Sequence, residues 1–260
     1  MSFKIKAFKD GYTDSDTAVV IYSLLLSSAD EITNFYILGN AGTKNGTKIT
    51  VVVPYGSDLA HLTPTIEVSA LANVNPATNV ERDFTDPVHY IVTAEDNSTQ
   101  DYTMTVISIG PAGGWIFYDK GYYSEGWRYL EAATSDVSAP WYNGTYVQTH
   151  ATATDVGTGQ ANTTTIVAVQ GPGYYDAALC DSLVFGGKSD WFLPSRDEMS
   201  LIYTNMYLNG IGNLALYGAP YWTSSEATNW SNAWNVDMSG SEPYIYFKYG
   251  NQPARCIRAF

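Results

Sequence analysis

The sequence predicts an all-β sandwich followed by an α+β domain, with a short strand-rich stretch ahead of both. Three observations carry that expectation. Strand-like runs separated by turn signals fill residues 31–107. Gly and Pro then break the pattern at Ser108-Ile109-Gly110-Pro111-Ala112-Gly113-Gly114, and helix signals appear only beyond that break. The expected units are therefore residues 1–28, 29–108 and 109–260.

In the middle unit the runs are Ile32 to Leu38, Ile49 to Val53, Thr65 to Val68, Val88 to Ala94 and Tyr102 to Ile107. Asn45-Gly46, Pro54-Tyr55-Gly56 and Asp96-Asn97 supply turns between them, and the β-branched content and spacing fit a small sandwich. In the last unit Trp115 to Tyr118 and Trp127 to Ala132 read as strands. Asn162 is placed to cap a helix through Gln170, and Tyr174 to Val184 reads as a second helix with Ala177, Ala178, Leu179 and Leu183 inward. Ser195-Arg196-Asp197-Glu198 is a capping box opening a third helix, with Met199, Ile202 and Met206 at helical spacing. After Gly218 the pattern returns to strands.

Composition narrows the function classes. Hydrophobic residues make up 45% of the chain, enough for a core, while charged residues are only 15%. The net charge of -13 divides almost evenly between residues 1–110 and 111–260, so no basic face exists for nucleic acid. Lys4, Lys6 and Lys9 lead into a polar run, which is not the plan of a signal peptide, and Ala18 to Leu26 is too short to span a membrane. Either the chain stays inside its cell, or this start is an internal cut in a longer secreted protein, with membrane contact only through an anchor outside the chain.

Residues 221–260 combine a framework with recognition-type side chains. The framework is Tyr221 to Glu226, Ala233-Trp234, Lys248 and Arg255 to Phe260. Between these lie Asn229, Trp230, Ser231, Asn232, Asn235, Asp237, Ser239, Ser241, Glu242, Tyr244, Tyr246, Phe247, Tyr249 and Gln252. Tyr and Trp give broad contact at small entropic cost, and Ser and Asn give adaptable hydrogen bonds. Tyr244 and Tyr246 are expected on one strand face with Ile245 in the core. Trp115, Trp127, Trp191, Trp222 and Trp234 read as core, Trp230 and Tyr249 as surface. Arg255 and Arg258 read as framework salt-bridge residues, with Asp190, Asp197 and Glu198 as candidate partners.

Catalysis has little to work with. His150 is the only histidine after residue 110, and it sits in a polar stretch that reads as an exposed loop. No Gly-x-Ser-x-Gly elbow or phosphate-binding Gly-rich loop is present. Glu242-Pro243 and Trp234-Asn235-Val236-Asp237 are similar to elements of calcium-dependent sugar binders, but Tyr244, Val236 and the reversed order depart from them. Asp237 and Glu242 remain the pair that could meet a hard cation. No metal site and no cofactor are expected. Cys180 and Cys256 either form a disulfide, pinning the last strand to the second helix, or stay as two buried thiols.

Three resemblances extend this reading. "ITNFYILG", "TKITVVVPYGSDLAHLTPTIEVS" and "FTDPVHYIVTAEDNSTQDYTMTV" closely resemble the Ig-like repeats of bacterial surface proteins. Gly11, Tyr12, Asp14, Ser15 and Asp16 resemble the turn between the final strands of a chitobiase C-terminal type repeat, which implies a row of such modules. "GPAGGWIFYDKGYYSEGWRYLEAA", "SDWFLPSRDEMSLIY", "YWTSSE" and "RCIRAF" resemble the Lcl C-terminal domain family, also called the major paralogous domain. That last resemblance implies an α+β C-type lectin-like fold at the end of a surface protein. The interleaving of fixed and Asn/Tyr/Ser-type positions is also similar to the variable proteins of diversity-generating retroelements.

The expectation is thus a non-enzymatic binding protein, extracellular or at a cell surface, or on a phage tail. Its partners would be a protein or glycan on a cell surface. The competing expectations are a structural cap of a surface or phage-tail fibre, and an enzyme related to the formylglycine-generating group, whose motifs the two cysteines do not match.

Overall fold

A computed structural model describes all residues except 1, 8, 14–17, 22–24, 216–218 and 241. Strands β1 (Ser2–Ile5) and β2 (Ala18–Ile21) pair antiparallel. The expected turn residues Asp14, Ser15 and Asp16 lie outside the described residues.

Two sheets make up the next unit. One is ordered β4-β3-β7, from β3 (Ile32–Ile37), β4 (Asn40–Ala41) and β7 (Pro64–Val68). The other is ordered β5-β6-β10-β9-β8, from β5 (Thr43–Asn45), β6 (Lys48–Val53), β8 (Asn73–Asn75), β9 (Val88–Thr93) and β10 (Thr99–Ser108). Alternation along β6 sends Ile49, Val51 and Val53 into the shared core beside Phe35, Phe84 and Tyr90. Lys48, Thr50 and Val52 face the other way. Strands β6 and β10 run parallel, a long-range pairing that local patterns cannot reveal.

Strand β10 does not stop at the unit's edge, because Ile107 is buried in the core of the following unit. The Gly/Pro segment beyond it is locked in place. The backbone N–H groups of Ala112 and Gly114 donate to Glu131 Oε1 at 3.1 and 2.8 Å, and Arg258 Nη1 donates to Glu131 Oε2 at 3.0 Å. A Cβ on Gly110 would lie 2.2 Å from the Glu131 carboxyl carbon, so glycine is required for this close approach. What reads as a break in the strand pattern is a joint clamped around a buried carboxylate.

Residues 109–260 form several small sheets with three short helices. Strands β11 (Trp115–Ser124) and β12 (Trp127–Ala132) join β18 (Ile257–Ala259), and β13 (Val137–Pro140) pairs with β17 (Asn251–Ala254). Strands β14 (Pro220–Glu226), β15 (Asn232–Asp237) and β16 (Pro243–Phe247) form a third sheet with β16 at its edge. The helices are α1 (Gly159–Gln170), α2 (Asp176–Asp181) and α3 (Arg196–Asn205). None is long and apolar enough to cross a membrane among the described residues.

This overturns the expected fold class. Strand accounts for 39% of the structure and helix for only 14%, so the helical layer of an α+β C-type lectin-like domain is minor. The physical reason lies at the helix ends. The run predicted as Tyr174 to Val184 is helical for only six residues, because Gly171-Pro172-Gly173 precedes it and Gly186-Gly187, both at positive φ or in a tight turn, follow it closely. Asn162 does not cap α1. Thr158 takes the cap position, and Asn162 lies buried within the helix, donating to Ala153 O at 2.7 Å. The Ser195/Glu198 capping box is present as read, with Met199 and Ile202 buried.

Two features fix the end of the chain. Cys180 on α2 is disulfide-bonded to Cys256, and both are fully buried. Arg258 Nε and Nη2 grip the two oxygens of Asp190 at 2.8 Å each, holding that carboxyl below its usual range, and Arg255 Nε meets Asp136 at 2.6 Å. Of the expected partners only Asp190 serves. Asp197 pairs with Arg196, and Glu198 is spent on the capping box.

Asp176 at the start of α2 is fully buried, and its oxygens have no hydrogen-bond partner in good geometry. Burial pushes its carboxyl up to about 9, opposed only slightly by the Ala139 backbone. Because the folded value is raised, the stabilising contribution is complete below the unfolded value near 3.8 and is lost as pH rises toward 9. The chain should therefore lose stability between pH 5 and pH 8, by up to ~1.4 kcal/mol per unit from this group. Thermal unfolding of Asp176→Asn should show a flatter pH profile; an unchanged slope would mean that Asp176 is ionised in the fold.

Candidate functional site

The residues expected at the binding face separate into three groups. Asn229, Trp230, Ser239, Glu242, Tyr246, Phe247 and Tyr249 are exposed. Ser231, Asp237, Tyr244 and Gln252 are half-buried. Asn232 and Asn235 are buried, which corrects their assignment to the face, and Ser241 lies outside the described residues. Asn235 sits on the central strand β15, between Trp222 on β14 and Tyr244 on β16, with neither side-chain amide atom hydrogen-bonded. Burial follows from that central position.

Ile245 also departs from expectation. It is 45% exposed, because β16 is an edge strand with little packed over it, so both of its faces meet solvent. Trp191 and Trp222 are core as read, whereas Trp115, Trp127 and Trp234 are only half-buried. Trp234 is capped by the Arg196 guanidinium at 5.2 Å. His150 is exposed, as its polar stretch implied.

The exposed rings form two arms. In the first, Phe247 and Tyr249 stack at 5.7 Å with an interplanar angle of 18°, Tyr246 lies 6.3 Å from Phe247, and Tyr246 rests 6.3 Å from buried Trp222. In the second, Trp230 meets Tyr146 edge-on at 5.5 Å, and Tyr146 lies 4.9 Å from Tyr142. The segments that carry the two arms meet at Lys248, whose backbone is hydrogen-bonded to Ser231 beside Trp230 and to Trp141 beside Tyr142. Of these rings Trp230, Tyr246, Phe247 and Tyr249 are exposed, and Tyr142 and Tyr146 are half-buried.

Residues 221–260 alone do not point to Tyr142 and Tyr146. Their segment, Trp141-Tyr142-Asn143-Gly144-Thr145-Tyr146, has the same Tyr/Asn/Gly vocabulary as residues 229–252, and that similarity was the available signal. Its position about eighty residues upstream in sequence concealed it.

Beneath the rings is an ion pair between two framework residues. Lys248 and Glu226 are both fully buried, and Lys248 Nζ donates to Glu226 Oε1 and, at 3.2 Å, to Val147 O. The Glu226 carboxylate also accepts the backbone N–H groups of Thr149 and His150, at 2.9 and 2.7 Å to Oε2. Lys248 lies 4.3 Å from the centre of the Trp141 ring. Burial lowers its pKa, and the Glu226 contact opposes that shift. Along the backbone, Lys248 N donates to Ser231 O and Trp141 N donates to Lys248 O, both at 3.0 Å. Trp141 Nε1 donates to Thr223 O at 2.8 Å. Three distant segments are thus laced around one lysine, and the rings they carry are held in place before any ligand arrives.

The chemistry offered is stacking surface with hydrogen-bonding edges. Lys248 is the only Lys or Arg in residues 141–151 and 226–252, and it is buried against Glu226, so an anionic ligand would find no cation in these segments. Asp237 accepts the Ser239 N–H at 2.7 Å, and no group of three His, Cys, Asp or Glu suited to a metal occurs among the described residues.

Comparison with known proteins bears on the upstream unit. Residues 32–106 match the family described as SGBP, N-terminal. The match covers the two-sheet unit and not the aromatic face. No curated protein matches the chain. Among solved structures, a Bacteroides thetaiotaomicron protein provisionally named a glycoside hydrolase is similar at 24% identity, covering 43% of this chain and 34% of its own, with a TM-score of 0.31. The chain thus spans about a third of that protein. A provisionally named secreted protein from Bacteroides fragilis is similar at 18% identity, covering 31% of this chain and 95% of its own, with a TM-score of 0.26. At these scores neither likeness extends the reading.

Proposed function

We propose that the chain is a non-catalytic surface glycan-binding protein whose two-sheet unit presents the C-terminal aromatic face to neutral saccharides outside the cell. The observation that carries this is the pair of ring arms, Trp230 with Tyr146 and Tyr249 with Phe247, fixed from below by Glu226 and Lys248. Aromatic rings pack against the C–H faces of pyranose rings, and the amides and hydroxyls of Asn229, Ser231 and Gln252 are of the kind that bond sugar hydroxyls. The SGBP N-terminal match supports the glycan reading and favours a cell surface over a phage tail. The buried disulfide suits an oxidising location.

The resemblance of residues 109–260 to the Lcl C-terminal domain family and to variable proteins fits the same face. Asn229, Trp230, Ser239, Glu242 and Tyr249 could be exchanged without touching the core, whereas buried Asn232 and Asn235, and Tyr246 against Trp222, could not. Substitutions clustering at that buried pair in sister genes would sink the diversified reading.

The test is a calorimetric panel of neutral, uronic and sulfated oligosaccharides with the native chain and a Trp230→Ala/Tyr249→Ala variant. Neutral sugars should bind, and the variant should lose at least about 2 kcal/mol at this site, roughly thirtyfold, with unchanged melting. A chain that binds no sugar but forms an oligomer abolished by the same variant would make the face a contact between copies, as expected of a fibre cap.

A further inference from the structure

We infer that the cleft between the two-sheet unit and the C-terminal domain is a second saccharide site, separate from the aromatic face. The cleft has a volume of about 1060 Å³, at the upper end of small-molecule sites, and such sites favour domain boundaries. One wall is the outward face of the β5–β6 hairpin, with Thr43, Asn45 and Thr50; the other is the turn after α3, with Asn209 and Asn213. The walls exist because the strand alternation that buries Ile49, Val51 and Val53 turns Lys48, Thr50 and Val52 the opposite way.

The lining chemistry is selective. Among the described residues, no Asp or Glu lines this cleft. Threonine hydroxyls and asparagine amides each both donate and accept, which matches the paired donor and acceptor character of sugar hydroxyls. Half-buried Trp115 and Tyr207 add ring surface. The cleft is also held at a fixed width. Lys48 Nζ donates across it to Leu208 O at 2.6 Å, and Thr50 Oγ1 reaches Asn209 O at 3.4 Å. Beyond the cleft, Tyr55 of the two-sheet unit packs edge-on against Phe260 at 5.6 Å and Tyr129 at 6.4 Å. Strand β10 also joins the two walls, since its Ile107 is buried in the C-terminal core. Lys48, the cleft's one charged lining residue, keeps two N–H donors beyond its bond to Leu208, and those would serve sugar hydroxyls or a uronate carboxylate alike.

Two variants fill the cleft, Asn45→Trp from the β5–β6 wall and Thr134→Trp from the connection between β12 and β13, which also lines it; both positions are exposed. Hexasaccharides of α-1,4-glucan, β-1,4-glucan and 1,4-linked hexuronic acid would be titrated calorimetrically against the native chain, each filled variant and the Trp230→Ala/Tyr249→Ala variant. For at least one hexasaccharide we expect a site that either tryptophan weakens tenfold or more, with melting unchanged, and that the face variant leaves intact. A response to glucans alone, or to the uronide alone, identifies which source of hydroxyls the cleft takes. Binding that survives both fillings would overturn the cleft site while leaving the aromatic face standing, whereas the face would be overturned, and the cleft left standing, if no sugar showed any binding that the face variant weakens. No binding to any of the three sugars would overturn both.

Discussion

Replacing Lys248 by methionine is expected to destabilise the C-terminal domain by about 3–5 kcal/mol, the usual cost of leaving one member of a buried ion pair without its partner. The methylenes would still fill the space beside Trp141, but the Glu226 carboxylate would remain buried, held only by Thr149 and His150. Saccharide affinity at the aromatic face should fall as well, because the segment carrying Tyr142 and Tyr146 is anchored through that carboxylate and through Val147 O. Adding Glu226→Gln should restore part of the stability. The glutamine carbonyl can still accept the two backbone N–H groups, and no charge is left buried. Urea unfolding of the native chain, the single variant and the pair would decide. A cost below about 1 kcal/mol for Lys248→Met would show that the pair is not buried as described, since that is the range of exposed pairs.

Removing the disulfide should have an effect of similar size. Cys180 and Cys256 are 76 residues apart, and closing a loop of that length contributes roughly 4 kcal/mol by restricting the unfolded chain. A Cys180→Ser/Cys256→Ser chain should melt about 10 °C lower in its C-terminal transition, taking ~2–4 °C per kcal/mol for a unit of this size. The two-sheet unit contains no cysteine, so any separate transition belonging to it serves as an internal reference. The loss should reach the aromatic face as well, because Cys256 lies between β17 and β18, whose position depends on the bond to α2. Coincident melting of the two chains would contradict this account.

Legibility in the sequence followed the range of the interactions. The capping box at Ser195 and the strand runs of residues 31–107 were readable because their determinants lie within a few residues. Parallel pairing of β6 with β10, the clamp around Glu131 and the Glu226–Lys248 pair were not, since each joins residues far apart in sequence. The helical layer was overestimated because apolar residues at helical spacing, such as Ala177 and Leu183, also suit a short helix followed by a turn. In residues 229–252, residue type alone does not separate Trp230, Tyr246 and Tyr249, which are exposed, from Asn232 and Asn235, which are buried. Those two share the composition of the exposed set, and only their place on the central strand buries them.

Saccharide is expected to stack on the exposed C-terminal rings. The seven tryptophan indole N–H signals give a direct reading, since their environments differ: Trp230 is 52% exposed, whereas Trp141, Trp191 and Trp222 are 2% exposed or less. In a two-dimensional ¹H–¹⁵N spectrum titrated with a bound neutral hexasaccharide, the Trp230 signal should shift progressively while that of Trp191, packed away in the core, stays in place. Saturable sugar binding that leaves the Trp230 signal unmoved would contradict the account.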